Sequence, residues 1–454
     1  METNQNNNSF FQSNTAKIIM VGFLTLVLLI PLQLVKGLIE ERAERQQEVV
    51  NDINSKWGGS VYFYGPILKV PYSRYEESRL VDEKTKKVTI QRTRYTEYAY
   101  FFPEDLKAAA NVNTEEKNYN NYQSVVFNSE MNFKGSYSKP DFKAQSIAEE
   151  DIQWNKASVI IKTNNIKGIK GGVTINLAGE KHTFEPVAQN NDRDTVASLE
   201  TNAFSLENVF ADADASFNLD ISFNGSEQIK IVPIGKQTET KMASNWHSPG
   251  FTGNFLPESK SVSKDGFTSN WNISFLNRPF VQQYFGVLPN LAEYSFDVNF
   301  VIPIDQYQQT ERASKYGFLV IGLTFLVFFL IQTISKINIH IFQYSMIGLA
   351  LIMFYTLLIS ITEHSSFQFA YIIAAVAVVV MITLYSVSIL KGVKFPVFIA
   401  SSLSALYLFI YVIIQLEDYA LLVGSIGLFL ILGAVMYISR KIDWNSNTKK
   451  VIAS

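Results

Sequence analysis

The chain contains no cysteine, which excludes a disulfide framework, a thiolate zinc site, an iron–sulfur cluster and a cysteine nucleophile. Histidine is scarce: His182, His247, His340 and His364 are scattered along 454 residues, and none forms an H-E-x-x-H pair. P-loop, dinucleotide-binding and G-x-S-x-G signatures are missing as well. From these motifs we expect no catalytic residue, no metal and no cofactor. There is no excess of charge of either sign, with 39 basic against 41 acidic side chains. Phosphate backbones demand a concentrated basic surface, so nucleic acid is not an expected partner.

The most informative absence is local. From Tyr316 to Ser439 the only charged side chains are Lys336, Glu363, Lys391, Lys394, Glu417 and Asp418. An aqueous domain of that length carries several times more. Long apolar runs fill the space instead. Spanning a hydrocarbon core takes about 20 helical residues, and the runs near 18–35, 316–334, 345–361, 369–390, 395–416 and 419–438 qualify. A cleavable signal peptide is the rival reading of the first run. No small-x-small site precedes Glu40-Glu41-Arg42, so we read an uncleaved anchor.

The short loops of the C-terminal bundle set the orientation. Lys336, Lys391, Lys394, Arg440, Lys441, Lys449 and Lys450 fall on one side, and Glu363, Glu417 and Asp418 on the other. Both termini are therefore expected in the cytoplasm. His340 and His364 then lie on opposite faces and cannot share a metal.

The outside region begins with a helical continuation, Gly37–Trp57, in which apolar residues recur at three-to-four spacing, and Gly58-Gly59 ends it. Strand-like stretches follow at Val61–Val70, Val88–Phe102, Tyr122–Tyr137, Ser158–Thr163, Val173–Ala178, Phe217–Phe223, Ile229–Ile234, Thr268–Phe275 and Ser295–Ile302. Ser216–Phe223 alternates apolar and polar residues strictly, as a half-buried strand does. Lys84–Lys87 and Asn224-Gly225-Ser226 read as hairpin turns. Many short strands suggest antiparallel sheets packed as sandwiches, with 140–153 a place where two subdomains can part.

Three features stand out. Ser244–Phe251, with Trp246, His247, Pro249 and Phe251, reads as a structured loop with an aromatic anchor; the plain alternative is a plug at the end of a sandwich. Glu363-His364 and Glu417-Asp418 form an acidic outer rim in two short hairpins. Arg312 and Lys315, just before the second span, are on the same side and offer countercharge, as does His364 when protonated. We expect one interaction patch, with independent solvated charges as the plain alternative. Gln332, Thr356, Ser360, Thr383, Ser386, Ser401, Ser402 and Ser404 lie within spans and can hydrogen-bond between helices. No Asp, Glu, Lys or Arg sits mid-span, which argues against an ion-coupled transporter.

The runs Gln343–Ala350, Phe354–Leu358, Glu363–Phe367, Ala370–Ala375, Gln415–Gly424 and Arg440–Trp444 resemble the CreD family. Gly65–Tyr72, Phe102-Pro103-Glu104, Trp246-His247, Gly266-Phe267 with Trp271, and Arg312–Tyr316 extend the likeness upstream. The chain departs from it at Lys117–Tyr122, where the family tends to have an Arg-Gly-Ile-Tyr-like element, and at Gln332, where an acid is expected. The resemblance implies a bacterial inner-membrane protein associated with envelope stress, colicin tolerance and the β-lactam response, without catalytic residues or cofactor. The expected fold class is thus six transmembrane helices, one N-terminal and five in a C-terminal bundle, with a large β-rich extracytoplasmic domain. The expected layout is a disordered cytoplasmic tail at 1–17, an anchor at 18–35, a periplasmic domain at 36–312, the bundle at 316–439 and a cytoplasmic tail at 440–454. The expected function is non-enzymatic support of envelope integrity, with membrane lipids and envelope proteins as partners. A bundle transporting small molecules or lipids is the alternative.

Overall fold

A computed structural model describes residues 14–81, 88–119, 122–187, 196–207, 209–210, 214–300, 306–335, 337–390, 392–416 and 419–440. Two compact units divide the chain: residues 48–303, and 1–47 together with 304–454.

Helix α1 (Asn14–Trp57) runs unbroken for 44 residues with Pro31 inside it. Its end is fixed by glycine. The amides of Gly58 and Gly59 both donate to the Asn54 carbonyl, at 2.9 and 2.7 Å, and Gly58 and Gly59 have φ of 145° and 70°. A Cβ on Gly58 would stand 2.5 Å from the Asn224 carbonyl oxygen, so this stop accepts only glycine. The buried Asn54 side chain accepts from Ser124 Oγ and donates to Glu227 Oε1, at 2.5 Å each. The helix end is thereby stitched to the strands that follow.

Residues 48–303 hold sixteen described strands. The first five are β1 (Val61–Val81), β2 (Val88–Phe101), β3 (Asp105–Tyr119), β4 (Tyr122–Tyr137) and β5 (Ser158–Thr163). Next come β6 (Ile169–Leu177), β7 (Glu180–Val187), β8 (Ala197–Thr201), β9 (Ala215–Ser226) and β10 (Gln228–Ile231). The last six are β11 (Gln237–Ser244), β12 (Pro249–Gly253), β13 (Ser259–Ser263), β14 (Gly266–Ser274), β15 (Gln283–Phe285) and β16 (Phe296–Phe300). The order is β12-β16-β10-β1-β5-β8-β7-β6-β9-β4-β3-β11-β14-β13, with β2 pairing β1 and β15. Pairing is antiparallel except β1 with β10 and β3 with β11. The two halves of this path face one another. Phe63 of β1 stacks on Phe133 of β4 at 4.1 Å, and Trp271 of β14 on Phe296 of β16 at 4.8 Å. One continuous core lies between them, and it includes Phe142 and Ile152 from the 140–153 segment. That segment, expected as a place where subdomains can part, is packed into the single core.

The Asn224-Gly225-Ser226 turn is corrected. These residues continue β9, whose Ser226 still pairs with Val126 of β4. The chain changes direction at Glu227, which has φ of 63°. Gly225 serves packing, because a Cβ there would meet the Phe127 ring at 2.5 Å. The Lys84–Lys87 turn lies outside the described residues, although Val81 and Val88 are paired as a hairpin requires.

Arg278 is buried and ties the β10–β11 connection to the approach to β15. Its guanidinium donates to the carbonyls of Ile234 and Gly235 at 3.1 and 3.0 Å, to Phe280 at 3.1 Å, and to Gln282 Oε1. It also lies over the Phe280 ring at 4.0 Å. Burial lowers its pKa to about 10, partly offset by Tyr284 and Tyr64. It stays charged at neutral pH and adds no pH dependence there.

The other unit contains α2 (Gln306–Lys315), α3 (Gly317–Ser335), α4 (Ile341–Thr362), α5 (Phe367–Ile389), α6 (Lys394–Gln415) and α7 (Ala420–Ser439). Helix α1 and α3 through α7 are the six described helices long and apolar enough to cross a membrane. Short α2 buries Tyr307, Thr310, Ala313 and Ser314 and packs on α3, α4, α5 and α6.

Residues 48–303 expressed alone should melt cooperatively, with a midpoint that chelator and reductant leave unchanged. Arg278→Met leaves the buried Ile234 carbonyl and the half-buried Phe280 carbonyl without this donor, at about 1 kcal/mol or more each, while Gly235 keeps the Thr238 hydroxyl. The midpoint of that variant should fall by about 4–8 °C. A chelator-sensitive melt, or an unshifted midpoint for the variant, would contradict this account of the core.

Candidate functional site

The α4–α5 hairpin is tight because its own polar groups close it. Glu363 N donates to Ile359 O, His364 N to Ile361 O, and Ser365 Oγ to Ile361 O at 3.0 Å. Ser366 caps α5 by accepting from the Phe369 amide. The Glu363 carboxylate then faces Arg42 Nε at 3.4 Å, with both side chains about one-third exposed. Arg42 belongs to α1, just beyond its apolar stretch. Sequence spacing pointed to Arg312 and Lys315 as the cations. Lys315 instead pairs with Glu311 on its own helix at 2.8 Å, and Arg312 shares that last turn of α2. Glu417 and Asp418 lie outside the described residues. Arg42 gave no signal of its own, since it stands in a charged run with Glu40 and Glu41.

The Trp246 segment is an anchor. Trp246 is buried, with Nε1 donating to Ser248 O at 2.9 Å and its amide to Ser244 Oγ at 3.1 Å. The exposed His247 ring lies 5.0 Å from it. Asn245 accepts from the Thr114 amide and hydroxyl and donates back to its carbonyl. Pro249 opens β12, and Phe251 meets Phe267 and Trp271 edge-on at 5.6 and 6.0 Å. Beside this anchor runs an open polar cleft of about 760 Å³. Its floor is one cross-strand row, Glu130, Asn111, Ala243, Thr268 and Ser261. Asp265 adds a second carboxylate. The cleft presents amides, hydroxyls and carboxylates to solvent, and its aromatic lining residue, Phe267, is buried. Alternate polar residues on β3 and β4 were its only trace in the sequence.

Within the bundle, tyrosine makes the hydrogen bonds between helices. Tyr344 OH donates to the buried Gln332 Oε1 at 2.9 Å, joining α4 to α3. Tyr371 OH donates to Tyr407 O at 2.7 Å, joining α5 to α6. Phe354 fills the space among Tyr355, Tyr371 and Tyr407, with ring centroids 4.6–5.2 Å apart. Three of the hydroxyls expected to bridge helices behave differently. Thr383, Ser386 and Ser401 donate to carbonyls of their own helices at 2.6, 2.7 and 2.9 Å. A short side chain reaches the carbonyl one turn back more readily than a neighbouring helix. Among the described residues, no group of three His, Asp or Glu is placed to hold a metal ion.

Comparison with known proteins matches this arrangement to one family. The family described as inner membrane protein CreD matches residues 13–445. The inner membrane protein CreD of Escherichia coli (strain K12) is 30% identical over 426 residues, which are 92% of this chain and 91% of that protein. With six apolar helices and a central β domain accounted for across nearly its whole length, the chain belongs to the CreD family of multi-pass inner membrane proteins.

Proposed function

We propose that this is a non-enzymatic protein that supports cell-envelope integrity through a periplasmic β domain, with both termini in the cytoplasm. The observation that carries the reading is the division of charge in the bundle: Lys and Arg flank one set of helix ends, Glu and Asp the other. Residues 36–312 follow the acidic side and so face the envelope. Partners are the membrane lipids and envelope proteins reached by the domain's exposed faces. Transport of a water-soluble solute has less support, because the large cavity in the bundle is lined almost entirely by apolar side chains.

In this reading the outer end of α1 is pinned to the α4–α5 hairpin through Arg42 and Glu363. An exposed pair contributes only about 0–1 kcal/mol, so its loss should not lower abundance. Deletion of the gene should make cells leak a periplasmic marker under envelope stress, and the wild-type gene should restore them. Arg42→Glu should restore poorly at normal abundance, and Arg42→Glu with Glu363→Arg should recover most of the effect. A deletion strain that is indistinguishable from its parent under stress would refute the envelope role. Full restoration by Arg42→Glu alone would refute the pin.

A further inference from the structure

Helix α7 has no buried residue among those described, and it packs on α6. The two helices touch where Gly427 meets the Phe409 ring: a Cβ on Gly427 would stand 2.1 Å from that ring. Toward the basic end of the bundle the facing residues are too short to fill the space. Ser402 and Ala405 on α6 and Ala434 on α7 leave an apolar groove of about 960 Å³, closed on its other side by α3. Along α6 the groove extends from Lys394 to Phe409, about 22 Å at the helical rise. That is most of a hydrocarbon core of about 30 Å. In a bilayer, helices gain nothing from a gap between them, since packing contacts hold them together.

The charge at its mouth selects the occupant. Among the described residues, Lys394 is the one charged side chain lining the groove and has no ion-pair partner, and it is exposed. Arg440, stacked over Tyr437 at 4.0 Å, follows α7 two residues past Ile438, which lines the same end. An apolar groove that opens beside two cations suits an acyl chain carrying an anionic headgroup. We propose that the α3–α6–α7 groove holds one anionic phospholipid, its chain along Ala405 and Ala434 and its phosphate at Lys394. The bound lipid then joins α7 to α3, and anionic lipid content sets how firmly the last helix is held.

The test uses the full chain purified in detergent and delipidated, then titrated with phosphatidylglycerol or phosphatidylcholine. Native mass spectrometry counts bound lipid, and thermal unfolding reads its effect. Phosphatidylglycerol should add one tightly retained molecule and raise the unfolding midpoint, and phosphatidylcholine should bind more weakly. Lys394→Gln should weaken phosphatidylglycerol about fivefold, the worth of one basic residue near a lipid phosphate, and leave phosphatidylcholine unchanged. Ala405→Phe should abolish tight retention of either lipid by filling the slot. Ala434→Phe does the same from α7, should the first variant fail to fold. Equal retention of both lipids by the wild type would overturn the proposal. So would unaltered phosphatidylglycerol binding in Lys394→Gln, or in a folded slot-filling variant.

Discussion

A hydrocarbon interior tolerates neither an unpaired charge nor an unpartnered backbone amide, and the rest of this structure follows from that constraint. Between Tyr316 and Ser439 the described charged side chains, Glu363 and Lys394, fall at helix ends. Several polar groups that remain inside are neutral and find partners nearby: Ser386 on its own backbone, Gln332 on Tyr344, Tyr371 on the Tyr407 carbonyl. In the sequence the charges also sort by sign, and the proposed orientation rests on that sorting.

The β domain answers a different solvent. Its sheet path folds so that Phe63 covers Phe133 and Trp271 covers Phe296, giving one aromatic core whose outer faces are free to be polar. On β9, Phe217, Leu219, Ile221 and Phe223 point inward, and polar residues alternate with them. The same alternation on β3, β4, β11 and β14, with the wholly exposed β13 at the edge, produces the polar cleft beside Trp246. Some of its buried polar groups are tied together, as in the Ser124–Asn54–Glu227 chain that seats the end of α1 and the carbonyls around Arg278.

The legible parts of the fold were those written as strong patterns. Strands β4 and β5 begin and end where alternation and β-branched or aromatic content begin and end, and Gly58-Gly59 stops α1 as read. Strand β3 was missed because its inward positions include Ala108 and Ala110, weak strand formers held by the neighbours β4 and β11. Polar β13 is exposed along its length and exists only as a partner of β14. Short α2 carries too few apolar residues to announce itself. Of the site, Glu363 was legible as a loop carboxylate. Its partner Arg42 was not, since the contact joins residues far apart in sequence. The groove was invisible for a related reason: a gap between helices depends on which small residues face one another.

The central claim is that charge sorting places the β domain on the side of the membrane opposite the basic end of the bundle. The absence of cysteine permits a direct measurement with single introduced thiols. Ser261→Cys on β13 and Val393→Cys beside Lys394 both lie at exposed positions. Spheroplasts treated with a membrane-impermeant maleimide should label Ser261→Cys at once and Val393→Cys only after lysis. Labelling of Val393→Cys in intact spheroplasts, with Ser261→Cys protected, would contradict the account.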